Sequence, residues 1–166
     1  PLKLKLLASR GSKDFEAIVQ NYLEHWKKLG VRVELVNGRL QDYHTVTDKV
    51  LNDSHDFDMW MLGWSVGAEP TMHALSYLPK APYNFGHFAT KENTELIDSF
   101  TRSPKAFNQK YLLQQFYKWQ AYMEKEAFIL PLSNDYATVP VAKDVAGVTL
   151  ENGKDYYMWS EVGFTK

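Results

Sequence analysis

Leucine and lysine alternate over residues 2–6 before the chain turns wholly apolar to residue 8, which predicts a strand over 2–8 that starts near a sheet edge. After the loop Ser9-Arg10-Gly11-Ser12, the residues Phe15, Ile18, Val19, Tyr22, Leu23, Trp26 and Leu29 recur at the spacing of one helical face. Ser12 is placed to cap that helix. Asp14 and Glu16 sit at its positive end, Lys27 and Lys28 at its negative end, and Gly30 where a left-handed closing residue belongs. Residues 31–36 alternate as a second strand, and a strand–helix–strand unit implies parallel pairing through a right-handed crossover. Asn37-Gly38 reads as a turn, and residues 43–51 as a shorter helix with Val46 and Val50 facing inward. Ser54-His55-Asp56 then leads into an aromatic-rich alternating strand over 57–63, which ends at Gly63.

Further along, residues 71–78 predict a short helix closed by Pro79 and Pro82, and residues 84–88 an aromatic loop or short strand. Thr90 can cap a helix running to about Arg102, with Leu96, Ile97 and Phe100 as its buried stripe; Pro104 stops it. From Asn108 a long helix places Leu112, Phe116, Trp119 and Met123 on one face. Residues 128–132 and 136–141 are strand-like, with Pro131 and Pro140 pointing to sheet edges or bulges. Beyond Gly147 the pattern weakens and ends in the aromatic tail Tyr156-Tyr157-Met158-Trp159. With no repeat, low-complexity stretch or flexible linker, the reading is a single α/β domain over 1–166, a mixed, mostly parallel sheet covered by helices.

Composition narrows the function classes. Nineteen Lys and Arg against 20 Asp and Glu leave a net charge of −1, without the basic patch that a nucleic-acid partner needs to neutralise phosphates. The absence of cysteine excludes disulfides, thiolate metal sites and cysteine nucleophiles. No apolar run reaches the roughly 20 residues that span a bilayer. The start on a strand at Pro1, without Met or a signal-like segment, is expected of a domain cut from a longer protein. Five Trp, ten Tyr and nine Phe suit both cores and ligand surfaces.

Candidate chemistry is sparse. His25, His44, His55, His73 and His87 are scattered without ligand spacing, and His55-Asp56-Phe57-Asp58 reads as a polar turn entering a strand, so no metal site is expected. There is no GxSxG elbow, GxGxxG or P-loop, and no cofactor is expected. Asp56, Asp58 and Glu69 are the carboxylates an enzyme on this lobe would use, but Asp56 and Asp58 project from the same face of one strand, where solvation explains them. Binding remains. Gly63 and Gly67 leave the backbone of Trp64, Ser65 and Val66 accessible to an extended peptide, with Trp64 as a pocket wall or a buried strand-end ring. Glu69 reads either as a partner for an ammonium group or as a solvated loop carboxylate.

The residues resemble a known family at this point. Leu62-Gly63-Trp64-Ser65-Val66-Gly67-Ala68-Glu69-Pro70 is similar to the Gly-Trp…Asp-Pro segment of the oligopeptide-binding proteins of ABC importers, the family 5 extracellular solute-binding proteins. Leu23-Glu24-His25-Trp26-Lys27-Lys28-Leu29-Gly30-Val31-Arg32-Val33-Glu34 resembles its helix–Gly–strand crossover, and His55-Asp56-Phe57-Asp58-Met59 its strand entry. Asn84-Phe85 ahead of the helix with Glu95-Leu96-Ile97, the long helix with Phe128-Ile129-Leu130-Pro131-Leu132, and Val145-Ala146-Gly147 follow in the family's order. Trp64-Ser65 and Lys118-Trp119-Gln120-Ala121-Tyr122-Met123 resemble the Gram-positive branch. The resemblance implies the C-terminal lobe of a two-lobed type II periplasmic-binding-protein-like receptor. In that receptor Gly63, Trp64, Ser65, Val66, Gly67, Glu69, Asn84 and Phe85 line the ligand site and the last 20 or so residues return towards the hinge. Its implied partners are an oligopeptide, an N-terminal lobe outside this chain and the permease subunits of an ABC transporter. Its implied location is extracytoplasmic, as a cell-surface lipoprotein or in the periplasm. Other ligands in the same family are a signalling peptide or a nickel or haem complex. The chain departs from the family where an Asp receives the peptide's N-terminal ammonium: Val66 and Gly67 stand there, and Glu69 is the nearby carboxylate.

Overall fold

A computed structural model describes residues 2–64, 70–133, 138–149 and 159–165, of which Pro70 and Trp159 are described by their backbone alone. The chain divides into two compact units, Pro1–Ser65 and Val66–Lys166.

The first unit is built on a parallel sheet of strands β1 (Lys3–Ala8), β2 (Arg32–Leu35) and β3 (Met59–Met61), in the order β2-β1-β3. Helix α1 (Lys13–Lys28) connects β1 to β2, and α2 (Tyr43–Leu51) connects β2 to β3. Helix α1 starts at its predicted cap, and α2 at a cap the sequence reading did not name. The Ser12 hydroxyl accepts from the Phe15 N–H at 3.2 Å, and the Asp42 carboxylate from the Thr45 N–H at 2.9 Å. Gly30 takes φ +80° just past α1, the left-handed close expected there. Because the chain moves from β1 to β2 in one direction and from β2 to β3 in the other, right-handed crossovers put α1 and α2 on opposite faces of the sheet. Leu6 and Ala8 pack with Val19 and Met61 on the α1 side, while Leu7, pointing the other way along the pleat, is fully buried. Val46 and Val50 are buried as expected.

Three sequence expectations change here. The strand at residues 3–8 is the central one, although Lys3–Lys5 pair only with β2 in the ladder. The third strand is three residues, not the span 57–63. The Asp58 N–H donates to the Lys5 carbonyl at 3.0 Å and its carboxylate accepts from the Lys5 N–H at 2.7 Å, which opens the pairing. Past Ala8, β1 pairs with Gln41 instead, so residues 62–64 have no strand to follow. Leu29 leaves the buried stripe: as the capping residue beyond the last turn it is exposed.

The second unit is mainly helical. A short turn of helix α3 (Pro70–His73) continues as a 3-10 turn over Ala74–Tyr77, one residue earlier at each end than the predicted span 71–78. Helices α4 (Lys91–Thr101) and α5 (Gln109–Glu126) begin at Thr90 and Asn108, whose side chains accept from the N–H groups of Asn93 and Tyr111. Their apolar faces meet in a core of Ala74, Ile97, Phe100, Phe116 and Trp119, with Leu96, Leu112 and Met123 packed against it. Phe116 stacks on Trp119 and meets Phe100 edge-on, both at 5.6 Å between ring centres.

The strand expected over 128–132 does not form. Ala127 turns the chain through a left-handed conformation (φ +49°), Pro131 has no N–H to give a ladder, and Ile129 and Leu130 stay exposed. Residues 138–141 carry no strand either, while Tyr136, Ala137 and residues 156–158 of the aromatic tail lie outside the described residues. Residues 84–88 form turns. The antiparallel contribution comes instead from β4 (Val145–Ala146) paired with β5 (Gly163–Phe164). Gly147 allows it: φ is +83°, and a Cβ there would land on the Glu161 carbonyl oxygen. Gly147→Ala should therefore break this pair. Hydrogen exchange checks it through the Thr165 N–H, which donates to the Asp144 carbonyl at 2.7 Å and should lose its protection in the variant.

Candidate functional site

In a parallel sheet every strand ends at the same edge, so the topology sets what lies beside the end of β3. Leu62, Gly63 and Trp64 follow β3, Ser9 and Arg10 follow β1, and Val36–Gly38 with Arg39, Leu40 and Gln41 follow β2. With strands spaced about 4.8 Å apart, the ends of β2 and β3 are about 10 Å from each other across β1. The connection from β1 runs to β2 on one side and the connection from β2 runs back past β1 to β3 on the other, and in open α/β sheets this reversal is where a crevice opens for ligands.

Gly63 is exposed, and among the described residues a Cβ built on it meets nothing within 4 Å. Trp64 is 46 % exposed, so it is neither a buried strand-end residue nor fully solvated. Ser65, Val66, Gly67 and Glu69 lie outside the described residues.

The sequence does not single out the residues that tie this edge together. Gln41 is 5 % exposed. Its N–H donates to the Ala8 carbonyl (3.0 Å) and its carbonyl accepts from the Arg10 N–H (2.6 Å). Its side-chain amide donates to the carbonyls of Val36 (2.8 Å) and Arg39 (2.9 Å). The signal for it was the strand–helix–strand–helix–strand order, which becomes a place only when the strand order is known.

Asn84 and Phe85 belong to the second unit. Asn84 is buried and its amide is used inside its own loop: Nδ2 donates to the carbonyls of Leu78 (3.1 Å) and Phe88 (2.8 Å), and Oδ1 accepts from the Phe88 N–H (3.0 Å). Phe85 meets Tyr83 edge-on at 6.1 Å. Asn84 therefore shapes the loop that carries Phe85.

The carboxylates have local structural partners. Asp56 accepts from Lys49 Nζ and Ser54 Oγ, both at 2.5 Å, and these bonds, the lysine's first, hold its pKa below the usual carboxylate range. Asp58 accepts from the Lys5 N–H. Both precede β3 rather than sharing a strand face, a correction to the sequence reading. Burial lowers the pKa of the His73 imidazole, which meets the Tyr77 ring edge-on at 5.6 Å. Among the described residues no three His, Asp or Glu side chains come together as a metal site would require.

No family model matches the chain. The oligopeptide-binding protein OppA of Lactococcus lactis subsp. cremoris (strain SK11) is 37% identical over 164 residues, 98% of this chain and 27% of that protein. A further OppA from Lactococcus lactis subsp. cremoris is 36% identical over 110 residues, covering 66% of this chain and 86% of that relative. The chain belongs to the oligopeptide-binding protein family. Lactococcal OppA, solved in complex with an endogenous peptide in the closed conformation, superposes with a TM-score of 0.80 at 35% identity, over 98% of this chain and 30% of that one. The α/β fold of this oligopeptide-binding family member is thus that of the type II peptide-binding class. The chain spans about a quarter of the length of the full-length relatives it matches.

Proposed function

We propose that this chain is most of the C-terminal lobe of an extracytoplasmic receptor that captures extended oligopeptides and hands them to an ABC permease. The observation that carries this reading is the superposition of nearly the whole chain on OppA solved with a bound peptide. The local geometry supports it. Gly63 after β3 is exposed and free of described neighbours at its Cβ position, and the half-exposed Trp64 follows it in the chain. Such a lip suits main-chain pairing with a peptide whose side chains enter adaptable, water-filled pockets. Gly63, Trp64, Ser65, Val66, Gly67 and Glu69 form the contact segment in this reading, with the Asn84–Phe85 loop as a further contact. The receptor binds without chemistry, and its second lobe supplies the other half of the enclosure.

Native mass spectrometry of the full-length receptor tests the reading, with co-purified peptides as the expected result. Trp64→Ala in that receptor should weaken binding of a co-purified peptide about tenfold in calorimetry, as expected for truncating one aromatic anchor. A receptor that carries no peptide and binds none overturns the reading.

A further inference from the structure

On the α1 side of the same sheet edge lies an open cleft of about 440 Å³, bordered by the first turns of α1 and the segment that follows β2. Its apolar wall is Leu35 and Leu40, and its charged groups are Arg10, Arg39 and Glu16, two cations against one anion. Among the described residues neither guanidinium is held in an ion pair, and Glu16 is in none. The two arginines come from different strand ends, yet Gln41 fixes the backbone of both. It accepts the Arg10 N–H through its carbonyl and donates its side-chain amide to the Arg39 carbonyl. Asn37 (φ +55°) and Gly38 (φ +69°) make the tight turn that brings Arg39 back over the sheet edge.

We propose that Arg10 and Arg39 recognise a carboxylate of the bound peptide in this cleft, giving the receptor a preference for ligands that present one there. This rests on the peptide-capture reading and adds the ligand class to it. Guanidinium forks match carboxylates bidentately, and leucines beside them exclude water from the bond once the receptor closes. Glu16 leaves a single excess positive charge, which suits one carboxylate better than a polyanion.

Calorimetry on the full-length receptor, emptied of co-purified peptide, tests this with a short alanine-rich peptide carrying one central Glu and with its Gln counterpart, each as C-terminal acid and amide. The expected result is about tenfold tighter binding of the Glu peptide, or of the acid over the amide, falling to near parity in R10Q/R39Q and partly kept in R10K/R39K. The Glu/Gln pair identifies a side-chain carboxylate and the acid/amide pair identifies the C-terminus. Retention by the lysine variant separates charge recognition from a folding defect. Equal binding of all four peptides by the unsubstituted receptor overturns this inference and leaves peptide capture standing. Binding of none of them, together with none co-purified, overturns both.

Discussion

Asn93→Ala is expected to destabilise the second unit by roughly 3–5 kcal/mol, because it leaves the buried Trp119 N–H and the part-buried Tyr77 carbonyl without this partner and opens a void. Asn93 is fully buried at the start of α4. Its Nδ2 donates to the Tyr77 carbonyl at 2.7 Å, and its Oδ1 accepts from the Trp119 indole N–H at 2.9 Å. One amide thus joins the 3-10 turn after α3, the first turn of α4 and the middle of α5. Each orphaned group costs about 1–3 kcal/mol, against a total stability on the order of 5–15 kcal/mol for a domain. Urea unfolding should show a much lower midpoint with an unchanged slope. Asn93→Asp sharpens the test. Its carboxylate still accepts from Trp119, but ionised it has no proton for the Tyr77 carbonyl. Burial raises its folded pKa above the unfolded value near 3.9, so the folded state binds the extra proton. The variant's deficit should therefore shrink as pH falls towards the unfolded value and persist at neutral pH, relative to the unsubstituted protein at each pH.

What could be read from the sequence was what neighbouring residues decide. Ser12, Thr90 and Asn108 each cap a helix through an N–H three residues on, a geometry independent of the rest of the fold. Val46 and Val50 are buried because a four-residue interval returns to one helical face. The unread parts depend on partners remote in sequence. Asn93 and Gln41 look like ordinary polar residues until the groups they serve, 16 to 26 residues away for Asn93, arrive beside them. Residues 128–132 have the composition of a strand, but a strand needs a neighbour, and none pairs with them among the described residues. The candidate site divides the same way. Gly63 and Trp64 were visible as a strand end with an aromatic beside a glycine. Arg10, Arg39 and Gln41 reach that edge only through the strand order β2-β1-β3.

That strand order also makes Leu7→Ala the substitution expected to couple stability to the binding lip. Leu7 is fully buried in the central strand, opposite Trp60 of β3, and truncating such a leucine costs roughly 3–5 kcal/mol in lost transfer energy and residual cavity. The loss is not shared evenly by the sheet. Lys3, Leu4, Lys5 and Leu6 pair with β2, whereas the ladder to β3 runs over Leu6, Leu7 and Ala8, with Asp58 just before it bonded to Lys5. The void opens where β3 attaches, so the amides of Met59, Trp60 and Met61 should lose hydrogen-exchange protection before those of Arg32–Leu35. Gly63 and Trp64 follow β3 directly, so in the full-length receptor the same substitution should weaken peptide binding. Leu7→Ile, which keeps the volume and suits a strand, should restore both the exchange protection and the affinity. If Leu7→Ala lowers stability but exchange loosens β2 and β3 together, the sheet responds as one body, and the end of β3 has no independent freedom to pass on to the lip.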